Sequence, residues 1–271
     1  MVYKYLESEL SILVISHSSY SDLWPIFFSE LEENFGKPCQ LYLSVDILPQ
    51  NTNINGVTII SEEYPESSTW SKRVLNACEV INTKYVLLLI DDIFFKEKID
   101  LSELEEYLGS MVILGLKSLK LFYEPNFKPE LLIPGTEKLG VFNFGAMNRI
   151  NTHATIWEVS FLQDILDPEE SIWEFEVNGT FRSNTTFFIG GVTSAFLNYE
   201  LGVVKGRWER RTISRLHKKG YSQFLTKRGK LSMVDTLKRF LVLKVLNFFI
   251  YKLSINLRKR IKRMLDKKVG K

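Results

Sequence analysis

The chain has 271 residues, 45% of them hydrophobic and 25% charged, a balance that excludes disorder over most of its length. Its two cysteines, Cys39 and Cys78, predict neither a disulfide framework nor a Cys/His zinc cluster. The net charge of +3 is unevenly spread: residues 205–271 carry 22 Lys/Arg against Glu209, Asp235 and Asp266, and the rest carries 13 basic and 29 acidic residues. A basic C-terminal part on an acidic body implies an anionic partner of its own, with lipid, nucleic acid or the body as candidates.

Residues 1–10 include Lys4, Glu7 and Glu9, and the apolar run Ile12–Ile15 is too short for a signal peptide. With no stretch of about 18 uncharged apolar residues, no transmembrane helix is expected. Ser11–Ser16 reads as a buried strand ending in the polar cluster His17–Asp22. Leu23–Phe35 has helical spacing and stops at Gly36-Lys37-Pro38. Gln40–Val45 and Gly56–Ile60 read as further strands. Thr69–Ile81 reads as a helix capped by Thr69, with Val74, Ala77, Cys78 and Ile81 inward. Tyr85–Ile90 is apolar at every position, as expected of a central strand covered on both faces. Leu101–Leu108 predicts a helix, Ser118–Tyr123 a strand, Thr155–Leu166 a helix and Leu201–Val204 a last core strand.

Strands alternating with helices predict an α/β fold with an open, mainly parallel sheet. Ligands of such sheets gather beyond the carboxyl ends of the strands, where residues 17–22, 44–46 and 91–92 fall. Asp91 and Asp92 directly follow the all-apolar strand. Two adjacent carboxylates repel unless a cation or hydrogen-bond donors offset them. A hard divalent ion suits them, because Mg²⁺ and Mn²⁺ take carboxylate and phosphate oxygens. The competing reading is a solvated loop or a helix cap.

Two blocks carry a resemblance. Trp70-Ser71-Lys72-Arg73, then Thr83 through Asp91-Asp92-Ile93-Phe94-Phe95, resembles the helix–strand–DxD region of bacterial GT-A glycosyltransferases from polysaccharide (O-antigen or capsule) loci. His153-Ala154-Thr155-Ile156-Trp157, with Leu162, Leu166, Glu170 through Glu176 and Gly179, resembles their acceptor-side block. With Gly206-Arg207-Trp208, the likeness spans roughly residues 10–210. It implies a GT-A fold and a nucleotide-diphospho-sugar donor; the chain then reads as a GT-A-like catalytic domain over 1–215 followed, from its charge and apolar pattern, by a basic amphipathic helical tail over 216–271. It also implies Asp91 and Asp92 at the donor's ribose, phosphates and metal. The chain has Asp-Asp-Ile in place of Asp-x-Asp, so either Asp92 takes the metal role beside Asp91 or dependence on Mn²⁺ or Mg²⁺ is weak.

An inverting transfer needs a general base, which a carboxylate can be. Glu170 is ranked first because the block opens a helix there, then Glu174 and Glu176; most acids of this cluster should be structural. His153, Trp157 and Trp173 are the acceptor-side candidates. Donor-binding candidates are His17, Tyr20, Asp22, Ser44, Asp46, Ser71 and Arg73, with Lys205 and Arg207 neutralising the diphosphate. Residues 232–265 interleave apolar side chains from Phe240 to Leu265 with nine Lys/Arg from Lys238 to Arg263, a pattern suited to an interfacial helix on anionic lipid.

The expectation is therefore an inverting hexosyltransferase that moves sugar from UDP-hexose or UDP-galactofuranose to a lipid-linked glycan. It would sit in the cytoplasm at the inner face of the membrane, with no nucleic acid partner. The alternatives are a nucleic-acid-binding protein using the basic tail, or a non-catalytic sugar-binding relative.

Overall fold

The computed structural model describes residues 3–50, 52–62, 68–124, 128–146, 148–237 and 241. A short helix α1 (Lys4–Glu9) leads into β1 (Leu10–Ile15), followed by α2 (Trp24–Phe35), β2 (Gln40–Val45), β3 (Thr58–Ser61), α3 (Trp70–Val80) and β4 (Tyr85–Ile90). These four strands run parallel in the order β3-β2-β1-β4. The expected cap forms: the Thr69 hydroxyl accepts the Lys72 N–H at the start of α3.

After β5 (Ile93–Phe95), α4 (Leu101–Leu114), β6 (Ser118–Lys120), β7 (Leu131–Ile133) and β8 (Thr136–Val141), the chain returns to the sheet centre as β9 (Thr155–Glu158). β9 lies antiparallel between β4 and β6. Helices α5 (Val159–Ile165) and α6 (Ile172–Arg182) precede β10 (Ile189–Val192), which joins β6 to the β8–β7 edge of a nine-stranded mixed sheet. Two small pairs stand apart: β11 (Tyr199–Leu201) with β5, and β12 (Val203–Val204) with β13 (Arg207–Trp208). Helix α7 (Arg210–Lys218) follows.

The strand alternation explains the layers. Leu10, Ile12 and Val14 of β1 and Tyr85, Leu87 and Leu89 of β4 join the core that faces α2, α4 and α7. Leu13, Ile15, Val86 and Leu88 join the opposite core with α3, α5 and Phe175 of α6. Because both faces are covered, the central strand is apolar throughout rather than alternating with polar residues.

Two sequence expectations change. The helix expected over Thr155–Leu166 begins only at Val159; Thr155, Ile156 and Trp157 are strand residues paired on both sides, as their β-branched and aromatic side chains favour. The core strand expected over Leu201–Val204 is broken at Gly202, whose N–H donates to the Asp92 carbonyl at 2.6 Å. A Cβ there would overlap the Phe94 ring, so only glycine allows this approach. The packed unit also continues past 215. Leu216, Leu225 and Leu231 are buried, the first two in the same core, and Trp208 exchanges backbone bonds with Gly229 and Leu231. Of the tail, residues 238–240 and 242–271 lie outside the described residues. Among the described residues, no helix is long and apolar enough to cross a membrane.

Candidate active site

The ends of β1, β2 and β4 meet as expected from their parallel order. Asp91 is buried; its Oδ2 accepts the Ser16 hydroxyl at 2.5 Å and the Trp24 indole N–H at 3.0 Å. Burial pushes the Asp91 carboxyl up to about 7, with the charge of Asp92 adding to the rise and the Ser16 and Trp24 hydrogen bonds opposing it. Asp92 is half-buried beside it. Tyr20 stands in the field of both acids: burial first, then Asp92 and Asp91, raises its phenol above the ordinary value, against the pull of Arg228.

Asp46 ends β2 nearly buried and accepts the Ser18 N–H at 2.6 Å and the Ser18 hydroxyl at 3.0 Å. Burial works against its charge, but these bonds and His17 hold the carboxyl below the usual range. The His17 Nε2 is 3.1 Å from Asp46 Oδ2, and its Nδ1 accepts the Ser19 N–H. Ser44 is fully buried, its hydroxyl turned to the Arg73 carbonyl. At the start of α3, Ser71 and Arg73 are buried, and among the described residues the Ser71 hydroxyl and the Arg73 Nε have no hydrogen-bond partner. Burial lowers the Arg73 pKa, partly offset by Asp46 and Glu62.

The acidic cluster of residues 170–176 separates by partner. Glu170 is buried and held by Arg182, with Nη1 to Oε1 at 2.9 Å and Nη2 to Oε2 at 2.5 Å, and by Asn178 at 2.7 Å. Both carboxylate oxygens are engaged, and the pair ties Glu170 to the last residue of α6. Glu174 is the third residue of a capping box with Ser171, and hydrogen bonds from the Ser171 backbone and side chain hold it below the usual range. Glu176 differs. Its Oε1 accepts the Thr152 N–H at 3.0 Å and hydroxyl at 2.9 Å, and among the described residues no cation pairs with it. Burial, followed by the charges of Glu124, Glu176 and Asp92, raises the Tyr199 phenol. Glu176 and Asp92 thus both lie within electrostatic reach of one tyrosine.

The other candidates scatter. Trp157 is wholly buried against Phe161 and Phe175 and lines no cleft. Trp173 is 64% exposed on the first turn of α6. His153, half-buried, follows Thr152. Lys205, at φ 50°, and Gly206 form the turn between β12 and β13, while exposed Arg207 lies 3.9 Å from Asp235. Asp22 is bound through both oxygens by Arg228 at 2.8 Å. Nothing in the sequence singles out Arg228, Tyr199, Thr152 or the Lys120–Glu124 pair (2.7 Å). The Asp22 partner of Arg228 lies 206 residues away, a separation no local pattern reveals.

The fold is GT-A-like: a mixed, mainly parallel sheet flanked by helices, with acids beyond the central strand. Among solved structures, the mannosyltransferase PcManGT from Pyrobaculum calidifontis, in complex with GDP-Man and Mn²⁺, superposes with a TM-score of 0.51 at 8% identity, covering 75% of this chain and 59% of that one. TarS 1–349 from S. aureus gives 0.48 at 14% identity over 70% of this chain and 59% of its own, and HddC from Yersinia pseudotuberculosis gives 0.48 at 12% over 78% and 99%. The chain thus spans about three fifths of the length of TarS 1–349 and PcManGT. No protein-family pattern matches the sequence, and no curated protein does.

Proposed function

We propose that this chain is a glycosyltransferase that moves a sugar from a nucleoside-diphosphate donor to a glycan hydroxyl with inversion. The observation that carries the reading is the carboxylate pair Asp91–Asp92 directly after β4, with Asp92 and Glu176 of α6 both within electrostatic reach of Tyr199. Tyr20, His17, Asp46 and the under-satisfied start of α3, with Ser71 and Arg73, form the donor side. Unpartnered buried donors beside a carboxylate suit a ligand carrying both acceptors and N–H groups, such as a nucleobase.

Glu176 is the general base. Thr152 fixes one of its oxygens, and the other makes no hydrogen bond among the described residues. That oxygen takes the acceptor proton as the hydroxyl attacks the anomeric carbon and the nucleoside diphosphate departs. His153, next to Thr152, and the exposed ring of Trp173 border the acceptor entrance. Acceptor sugars stack on such a face.

The residues fit a divalent cation shared with the substrate. Among the described residues no three His, Cys, Asp or Glu side chains form a metal cluster, whereas paired Asp91 and Asp92 repel one another, and a cation relieves that repulsion. Asp92 would hold Mn²⁺ or Mg²⁺ with Asp91 beside it, and the ion would supply charge neutralisation for the departing diphosphate. A lipid-linked acceptor at an anionic membrane surface accords with the basic C-terminal sequence and with Met233, Val234, Leu237 and Leu241, which are all more than half exposed.

The test is a thermal-shift titration of the full chain with UDP, GDP and their hexose conjugates, with and without MnCl₂. A nucleotide bound only by the folded state raises the melting temperature, by about 2.7 kcal/mol of stabilisation at a hundredfold excess over Kd. A melting curve indifferent to every nucleotide rejects the reading.

A further inference from the structure

Transfer from a nucleoside-diphosphate donor brings negative phosphates to a place that already holds Asp91 and Asp92. Lys205 and Arg207 are the cations the sequence suggests for them. Arg207 instead extends into solvent near Asp235, 3.9 Å away. A different arginine reaches the cleft. Arg228, on the segment after α7, stacks 4.4 Å above the Tyr20 ring. Its Nε and Nη2 donate to the two Asp22 oxygens at 2.8 Å, and Nη2 also donates to the Ser19 carbonyl at 2.5 Å. Its side chain is only 10% exposed.

Three features make this more than a surface ion pair. Tyr20, on which Arg228 rests, is the residue that feels both Asp92 and Asp91, and Arg228 itself lies within electrostatic reach of Asp91. The third guanidinium nitrogen, Nη1, makes no hydrogen bond among the described residues. It faces Gly206, where a built Cβ would still stand 4.0 Å away, so no side chain at Gly206 covers it. Asp22 therefore holds the Nε–Nη2 edge of the planar guanidinium and leaves Nη1, beside Gly206, without a hydrogen bond among the described residues. A guanidinium with a preset plane binds phosphate oxygens without first losing rotamer freedom.

We propose that Arg228 is a diphosphate-binding residue of the donor site, aimed by Asp22 acting as a positioning residue. The inference rests on the donor reading above and extends it to a segment beyond the family-like blocks. It assigns Asp22 a role other than direct contact with the donor.

The experiment compares nucleoside with nucleoside diphosphate by calorimetric titration of the full chain with MnCl₂, using uridine and UDP and also guanosine and GDP. Arg228→Met should lose about tenfold or more in affinity for the diphosphate, the scale of charge-assisted hydrogen bonds, and leave nucleoside affinity unchanged. Asp22→Asn should show a smaller loss of the same kind. If Arg228→Met does not fold, Arg228→Gln keeps a donor toward Asp22, removes the charge and is read by the same outcomes. Diphosphate affinity equal to that of the unaltered chain overturns the proposal. So does an equal loss for nucleoside and diphosphate, which marks a collapsed loop. An unaltered chain that binds neither UDP nor GDP rejects the donor reading itself and this proposal with it.

Discussion

Three glutamates within seven residues have three different fates, and their partners decide which. Glu170 faces a guanidinium, Glu174 faces the start of its own helix, and Glu176 accepts hydrogen bonds from Thr152. Glu176→Gln should lower kcat by at least about a hundredfold, the lower range for general-base removal, with UDP or GDP affinity unchanged in calorimetry. Unaltered turnover would remove Glu176 from the chemistry. Asp91 and Asp92 were legible in the sequence because an all-apolar strand belongs at the centre of a sheet, and its abrupt end in two acids puts charge at the rim. The partners of the glutamates were not legible. The deciding cation, Arg182, sits twelve residues beyond Glu170, and choosing it required knowing that the loop before α6 folds back along the helix.

At the scale of elements, α6 carries Glu176 and is tied at its start by the capping box and along its length by the Glu170–Arg182 pair. Because Ser171 holds the folded Glu174 carboxyl below its unfolded value, its contribution is present above the unfolded pKa, about 4.3, and is lost as pH falls through the folded one. The melting-temperature gap between the unaltered chain and Glu174→Gln should therefore be steady near neutral pH and close as the pH falls below the unfolded value and through the lower folded one. A gap that is unchanged at low pH would show that the cap acts without its charge. The parallel half of the sheet was readable from sequence because its strands are short apolar runs separated by helices of clear period and by turn residues. β9 was not. Its four residues adjoin α5 without an intervening turn residue, so the combined stretch has the length of a helix, and only pairing with β4 and β6 distinguishes it.

At the scale of the molecule, basic charge concentrates at the C-terminal end, and exposed apolar side chains adjoin it. Met233, Val234 and Leu237 are 60–72% exposed, just before residues 238–271, which hold 12 Lys/Arg and one acid, Asp266. The chain should float with phosphatidylglycerol vesicles and not with phosphatidylcholine vesicles, and the triple change Met233→Glu, Val234→Glu, Leu237→Glu should weaken that binding several-fold, on the scale of lost apolar burial and added repulsion. Equal flotation with both vesicle types would remove the electrostatic part of this reading.

Helix α7 and the residue after it also fasten α2. Glu30 of α2, almost wholly buried, receives Arg215 at 2.6 Å and Lys219 at 2.9 Å, and Asp22 waits for Arg228 across 206 residues. Contacts so far apart along the chain close late in folding. On a ribosome, where the amino-terminal part emerges first, β1 to β4 can pair while the loop at residues 17–22 still lacks its clasp. A nascent chain halted before residue 228 would thus carry a formed parallel sheet and an unfinished mouth.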